Sequence, residues 1–302
     1  MRQRDYLGDE RLRDRIVYNK GGSVCIYCGG LADSREHIPS KTFLKKPFPD
    51  NLYTVPSCVK CNNSFSGDEL YTRIVLDTLE SSARENTLQS CKNGASLKYP
   101  RLAESIVSEI EAFRSNRSCE TTTFHFRSKK IERVLEKLAR GHAVYELSET
   151  YYLEGENAWD IAKTFYSFRP LLSEETIDNY DCAADIQNCI LPEIGSRVFE
   201  NVFPVQIPIA HIDGVGIYVL RSVLLDWTDI QDGTYRYIAV FAGNMIQVNI
   251  VIDEFLFATV FFVLHEDRDC INSFIEKLDE SEYSLKDVPF AIANYPLERS
   301  HG

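Results

Sequence analysis

The 302-residue chain lacks any long hydrophobic run. Its longest apolar-rich stretch, FLFATVFFVL at 255–264, is well short of the roughly 20 residues that a membrane-crossing helix needs. The opening MRQRDYLGDERLRDRI is charged throughout and holds no apolar stretch of the secretory kind. Both absences lead to the expectation of a soluble, cytoplasmic protein. Repeats and low-complexity tracts are missing too, which excludes collagen-like and coiled-coil arrays. The 44% apolar, 26% charged and 12% aromatic residues are the usage of a chain that folds around real cores, here about two domains' worth.

Positive charge is the next scarcity, and it is local. Residues 143–302 contain 9 Lys+Arg against 27 Asp+Glu, a balance of -18, whereas residues 1–142 contain 24 against 18, a balance of +6. The overall charge of -12 argues against a nucleic-acid partner, but its distribution does not. A basic working part joined to an acidic part with another task has this asymmetry, and so do two ordinary domains of different isoelectric point.

The periodicity predicts an α+β chain in three parts: 1–80 with a charged lead-in helix over residues 1–20, a helical connector at 81–145, and an acidic β-rich part at 146–302. Ser66 and Glu69 have the form of a capping box, and Leu70, Ile74, Val75 and Leu79 keep helical spacing behind it. Pro100 opens another helix, with Leu102, Ile106, Ile110 and Phe113 on one face. A third runs from about Lys130 to Arg140 and stops near Gly141. Its apolar side is Ile131, Val134, Leu135 and Leu138; its exposed side is basic through Lys129, Lys130, Arg133, Lys137 and Arg140. That side is either a solvated face or an extension of a phosphate-facing surface.

Further on, 216–225, 235–243 and 245–254 have strand composition, with Gly243-Asn244 as a hairpin signal and Asp232-Gly233 as a turn. Tyr235, Tyr237, Phe241, Phe261 and Phe262 are expected in the sheet core. Residues 150–212 show no clear period, and 273–278 suggests a short closing helix.

Nine cysteines, an odd number, make a full disulfide framework unfavourable, and four of them fall into Cys25-x-x-Cys28 and Cys58-x-x-Cys61. Two such knuckles are how four thiolates enclose a structural zinc and leave it no open position; two disulfides or free buried thiols are the alternative. The 29 residues between Cys28 and Cys58 exceed the usual ribbon separation of roughly 15–20, so something is inserted there.

The insert carries Glu36-His37 and Asn51-Leu52, and the second knuckle runs straight into Asn62-Asn63. In this joint order, over about residues 22–75, the chain resembles the HNH endonuclease family, whose ββα-metal module carries paired CxxC zinc knuckles around an Asp/Glu-His pair. It departs from that pattern in three places. Glu36 stands where Asp is commoner, two extra residues separate Asn51 from Cys58, and Phe65 stands where a Lys is often found.

The resemblance implies phosphodiester hydrolysis, DNA first, with an N-terminal zinc-stabilised ββα-metal fold. A neutral imidazole near pKa 6.5 suits a general base, and His37 is the only histidine before residue 125. A hard divalent cation, Mg²⁺ or Mn²⁺, would take oxygen from Glu36 and Asn62. Asn51 would hold the loop or orient the imidazole. Lys41, Lys45, Lys46 and Lys60 are the candidate phosphate contacts.

Adjacent strand residues point to opposite faces, so Glu36 and His37 share a direction only if the backbone bends, for which Ile38-Pro39-Ser40 is the expected break. Duller roles compete: Glu36 paired with a neighbouring cation, Asn51 in turn chemistry, Asn62 or Asn63 as a helix cap. The acidic part would sense, bind or restrain, and anti-phage defence is a setting suggested by analogy alone. A zinc-stabilised module that binds nucleic acid or protein without cutting is the rival reading.

Overall fold

The computed structural model describes residues 24–50, 52–85, 94–115, 128–147, 159–169, 172–181, 184–186, 196–198, 201–212, 215–242 and 245–264. The lead-in 1–20, Asn51, Gly243-Asn244 and the closing helix at 273–278 lie outside them. Helix and strand are mixed, as the periodicity predicts. No helix among the described residues is long and apolar enough to cross a membrane.

The first named strands among the described residues form a two-stranded antiparallel ribbon, β1 (Ser34–Ile38) and β2 (Tyr53–Ser57), with Glu36 opposite Val55 and His37 opposite Thr54. A short 3₁₀ turn, Lys41–Phe43, lies between the strands. β2 passes through Cys58 into the long helix α1 (Val59–Glu85). This helix starts seven residues before the expected capping box. Its Val59 N–H is satisfied by Asp33 Oδ1 at 2.7 Å, a cap supplied from across the ribbon that sequence spacing does not reveal.

Helices α2 (Gly94–Lys98) and α3 (Pro100–Ser115) follow, α3 starting at Pro100 as expected with Ile106 and Ile110 buried. Helix α4 (Lys129–Leu147) runs through Gly141 instead of ending there. The glycine is present for closeness: a Cβ at position 141 would lie 3.3 Å from Ile38 Cγ1 of the ribbon. Lys137 is a second correction. It faces inward, 3% exposed, and is not part of the basic outer side.

Beyond α4 stands a five-stranded antiparallel sheet in the order β3 (Trp159–Phe168), β10 (Leu256–Leu264), β9 (Met245–Ile252), β8 (Tyr235–Ala242), β7 (Thr228–Gln231). Every residue of β9 is buried, as a central strand covered on both faces requires. One face receives α4: His142 stacks on Tyr237 at 3.8 Å and bonds Tyr235 Oη through Nε2 at 2.8 Å. The other receives helix α5 (Glu174–Asp181), whose Tyr180 hydroxyl donates to the Ala258 carbonyl. A second sheet, ordered β4 (Ala184–Ile186), β6 (Val215–Leu225), β5 (Val202–Ile212), is antiparallel throughout. Thus the described residues of 150–212, a stretch without a period in sequence, include three strands and a helix.

Buried apolar side chains form one continuous core from Ile26 to Val263. Within it lies an ionic knot. Arg197 Nε and Nη2 each stand 2.9 Å from Glu146 Oε1 of α4, and the Tyr237 hydroxyl donates to the same oxygen. The guanidinium is ringed by Tyr53, Tyr145 and Tyr237 at 4.8–5.2 Å.

Candidate functional site

The first knuckle is a tight turn. Gly29 N–H donates to the Cys25 carbonyl at 2.9 Å, and Cys25 N–H to that of Gly30 at 2.6 Å. Gly29 sits at φ +71°, where a side chain is disfavoured. The second knuckle is the N-terminus of α1, where Cys61 N–H points at Cys58 Sγ, 3.3 Å away. The four sulfurs of Cys25, Cys28, Cys58 and Cys61 all lie within 4.8 Å of one another, and none is in a disulfide. Cys28 and Cys58 are 3.8 Å apart, the spacing that tetrahedral bonds of about 2.3 Å impose.

Their electrostatics fit a cation. Burial pushes the Cys25 thiol up, but the backbone of Cys58, Tyr27 and Cys28 outweighs it and brings the group down to about 7. Burial and its sulfur neighbours push the Cys61 thiol well up. Four thiolates this close would repel one another, and a dication at their centre removes that repulsion. The cluster fits zinc.

The cage fixes the ribbon, and the ribbon sorts its residues by parity. Glu36 turns inward, where the Lys137 ammonium lies 3.0 Å from its Oε1 and also engages Glu69 Oε1 of α1. Phe65 completes that pocket, its ring 5.1 Å from the same ammonium. Burial raises the Glu36 carboxyl above its ordinary value, and the Lys137 charge opposes the rise.

His37 lies on the opposite face of β1, half-buried. Burial first, and the Lys41 charge second, hold its imidazole below the ordinary 6.5, and the Tyr53 backbone opposes them. Its Nδ1 is buried and takes no hydrogen bond among the described residues. The strand stays regular through Ile38, so the break at Pro39 falls one residue too late to turn Glu36 and His37 to one side.

Asn62, in the first turn of α1, donates its amide to Ser34 Oγ and to the Arg35 carbonyl, both at 3.2 Å, and ties helix to strand. With Glu36 held by Lys137 and this amide turned into β1, the pair does not fit a catalytic Mg²⁺ or Mn²⁺ as arranged. Among the described residues the thiol cage is the one metal-ligating cluster found. Asn51 lies outside the described residues, and Asn63 is exposed.

Lys41, Lys46 and Lys60 are exposed, Lys41 lying 5.5 Å over the Phe48 ring. Lys45 is drawn to Asp253 of the C-terminal sheet at 3.2 Å.

From the sequence, Arg35 is weighed only as a possible ion-pair partner of Glu36. It shares the outward face with His37 two residues on, and its Nε donates to Oγ1 of Thr54, the residue opposite His37, at 2.8 Å. Strand parity alone pairs positions 35 and 37 and was the available signal. Lys137 carried no such signal, since a lysine in a basic run reads as solvated.

No family model, curated protein or solved structure matches this chain. The resemblance to HNH nucleases rests on the order of its residues in the sequence.

Proposed function

We propose that the chain is an HNH-type nuclease that hydrolyses phosphodiester bonds in nucleic acid, with DNA as first substrate, from the outward face of the β1–β2 ribbon. One observation carries the reading. A four-thiol cage clamps strand and helix so that a neutral imidazole, His37, faces outward beside Arg35, with the positive charge of Lys41 near it. Deprotonating water near neutral pH calls for such a base, and fixed cations beside it compensate the phosphate charge. Lys46 and Lys60 supply further exposed positive charge for sequence-independent backbone binding. The family likeness brings an expected Mg²⁺ or Mn²⁺ requirement. A cation held by Glu36 requires Lys137 to release that carboxylate.

That ion pair favours the second reading, a zinc-stabilised module that binds nucleic acid or protein without cutting. In it the Lys137 ammonium fills permanently the place a catalytic cation would take.

Plasmid cleavage with added Mg²⁺ or Mn²⁺ separates the two. Wild type should cut, and His37→Ala, checked for full zinc content, should lose about 10²-fold or more. Since the base works unprotonated and its pKa is depressed, the rate should hold as pH falls to about 6.5 and decline only below it. Cleavage by both proteins would overturn His37 as the base, and cleavage by neither would overturn the nuclease reading.

A further inference from the structure

The lysine-bearing insert is gripped from the far end of the chain. Gln231, the last residue of β7, spends its side-chain amide on the backbone of the insert. Its Oε1 accepts the Lys45 N–H at 2.8 Å and its Nε2 donates to the Lys45 carbonyl at 2.9 Å, with a further donation to the Pro47 carbonyl at 3.3 Å. Pairing both backbone groups imitates a neighbouring strand and leaves the Lys45 side chain to other partners.

That side chain meets Asp253, in the turn between β9 and β10. Asp253 and Glu254 both sit in the left-handed region, at φ +53° and +51°, and Asp253 N–H is anchored on the Thr234 carbonyl at 2.7 Å. The Asp253 carboxylate is 4% exposed, with Arg73 of α1 on its Oδ2. Its Oδ1 lies 3.2 Å from the Lys45 ammonium, without an aligned hydrogen bond, and Lys45 is 67% exposed. An immovable carboxylate thus faces a lysine free to swing. The contact is one of charge, and another anion of the right spacing can replace it.

We propose that Asp253 is an internal stand-in for a backbone phosphate: it keeps Lys45 on the C-terminal sheet and subtracts one cation from the surface the insert offers to a polynucleotide. The acidic half thereby restrains nucleic-acid binding by a single named contact, with Gln231 holding the insert in place for it. The inference rests on the nucleic-acid reading above.

The test is the salt dependence of binding to a labelled DNA duplex, with the full zinc-loaded chain and no added Mg²⁺, from about 50 to about 300 mM KCl. Each phosphate neutralised adds about 0.9 to the slope of log affinity against log salt. Asp253→Asn keeps a residue at ease in the left-handed region. It should bind several-fold tighter at low salt, with a slope steeper by about 0.9. Lys45→Gln should barely change the slope in wild type but abolish the gain in Asp253→Asn.

A wild-type slope in Asp253→Asn, or an equal loss from Lys45→Gln in both backgrounds, overturns the proposal while the nucleic-acid reading stands. If Asp253→Asn fails to fold, Lys45→Gln alone decides: an unchanged slope supports the latch, and a loss of about 0.9 overturns it. No binding by any form at low salt removes the nucleic-acid reading and the latch with it.

Discussion

The ribbon beside the four-cysteine cluster and the five-stranded sheet solve the same problem with different means. In β9 and β10 burial is nearly continuous: Val248, Ile250, Leu256, Phe257 and Val260 are fully buried, and the buried polar residues Gln247, Asn249 and Thr259 bond one another. The ribbon and its insert bury few apolar side chains: Ile26, Ile38, Phe43, Leu52 and Val55. A segment of that size cannot offset the entropy of ordering itself by apolar burial, so cysteines and ion pairs take over. Position in the sheet follows from diffuse burial, which tolerates substitution. Position in the ribbon rests on a few contacts, each costly to lose.

Removing zinc should break the comparison most visibly. Structural zinc contributes about 10–16 kcal/mol of apparent binding energy in small domains. After chelation, amides of residues 24–58 should lose hydrogen-exchange protection while those of β8–β10 keep it. Equal loss in both regions would show that the sheet leans on the metal too.

Glu146→Gln is next in size and probes the sheet side. It strands the buried Arg197 guanidinium without its carboxylate, and should cost about 3–5 kcal/mol in urea unfolding. A cost within about 0.5 kcal/mol, the range of an ordinary surface change, would mean the tyrosine rings alone hold that cation.

The smallest effect sharpens the comparison through pH. Burial, and then Arg197, holds His142 well below its ordinary 6.5, so below that pH the unfolded chain binds a proton that the folded chain does not. Stability should therefore rise with pH across that range, by about 1.4 kcal/mol per unit for this group, and be lost as pH falls. His142→Phe, which retains a ring to stack on Tyr237, should flatten that slope. An unchanged slope would assign it to other groups.

What the sequence disclosed follows the same division. Strands at 235–242 and 245–252 were legible because β-branched and aromatic residues cluster there between turn signals. The knuckles were legible because ligand spacing is local. Hidden were the contacts made across the chain. Asp33 caps a helix 26 residues on, and this moved the start of α1 from Ser66 to Val59. Gly141 reads as a helix stop but serves a close approach to Ile38. Lys137 reads as surface charge, yet it is the counter-ion of two buried carboxylates 68 and 101 residues away in sequence. The Glu36-His37 pair stands out by its order, while the direction of each side chain depends on where the strand ends.

Helix α4 gives Lys137 to the ribbon and, two turns later, Glu146 to the sheet. Its backbone is a shared axle between halves of opposite charge. A truncated piece ending before residue 129 would keep all four zinc ligands yet enclose Glu36 and Glu69 with no ammonium between them. Metal loading alone would not restore that counter-ion, so a piece that keeps the inner face of the ribbon paired has to include Lys137 of α4.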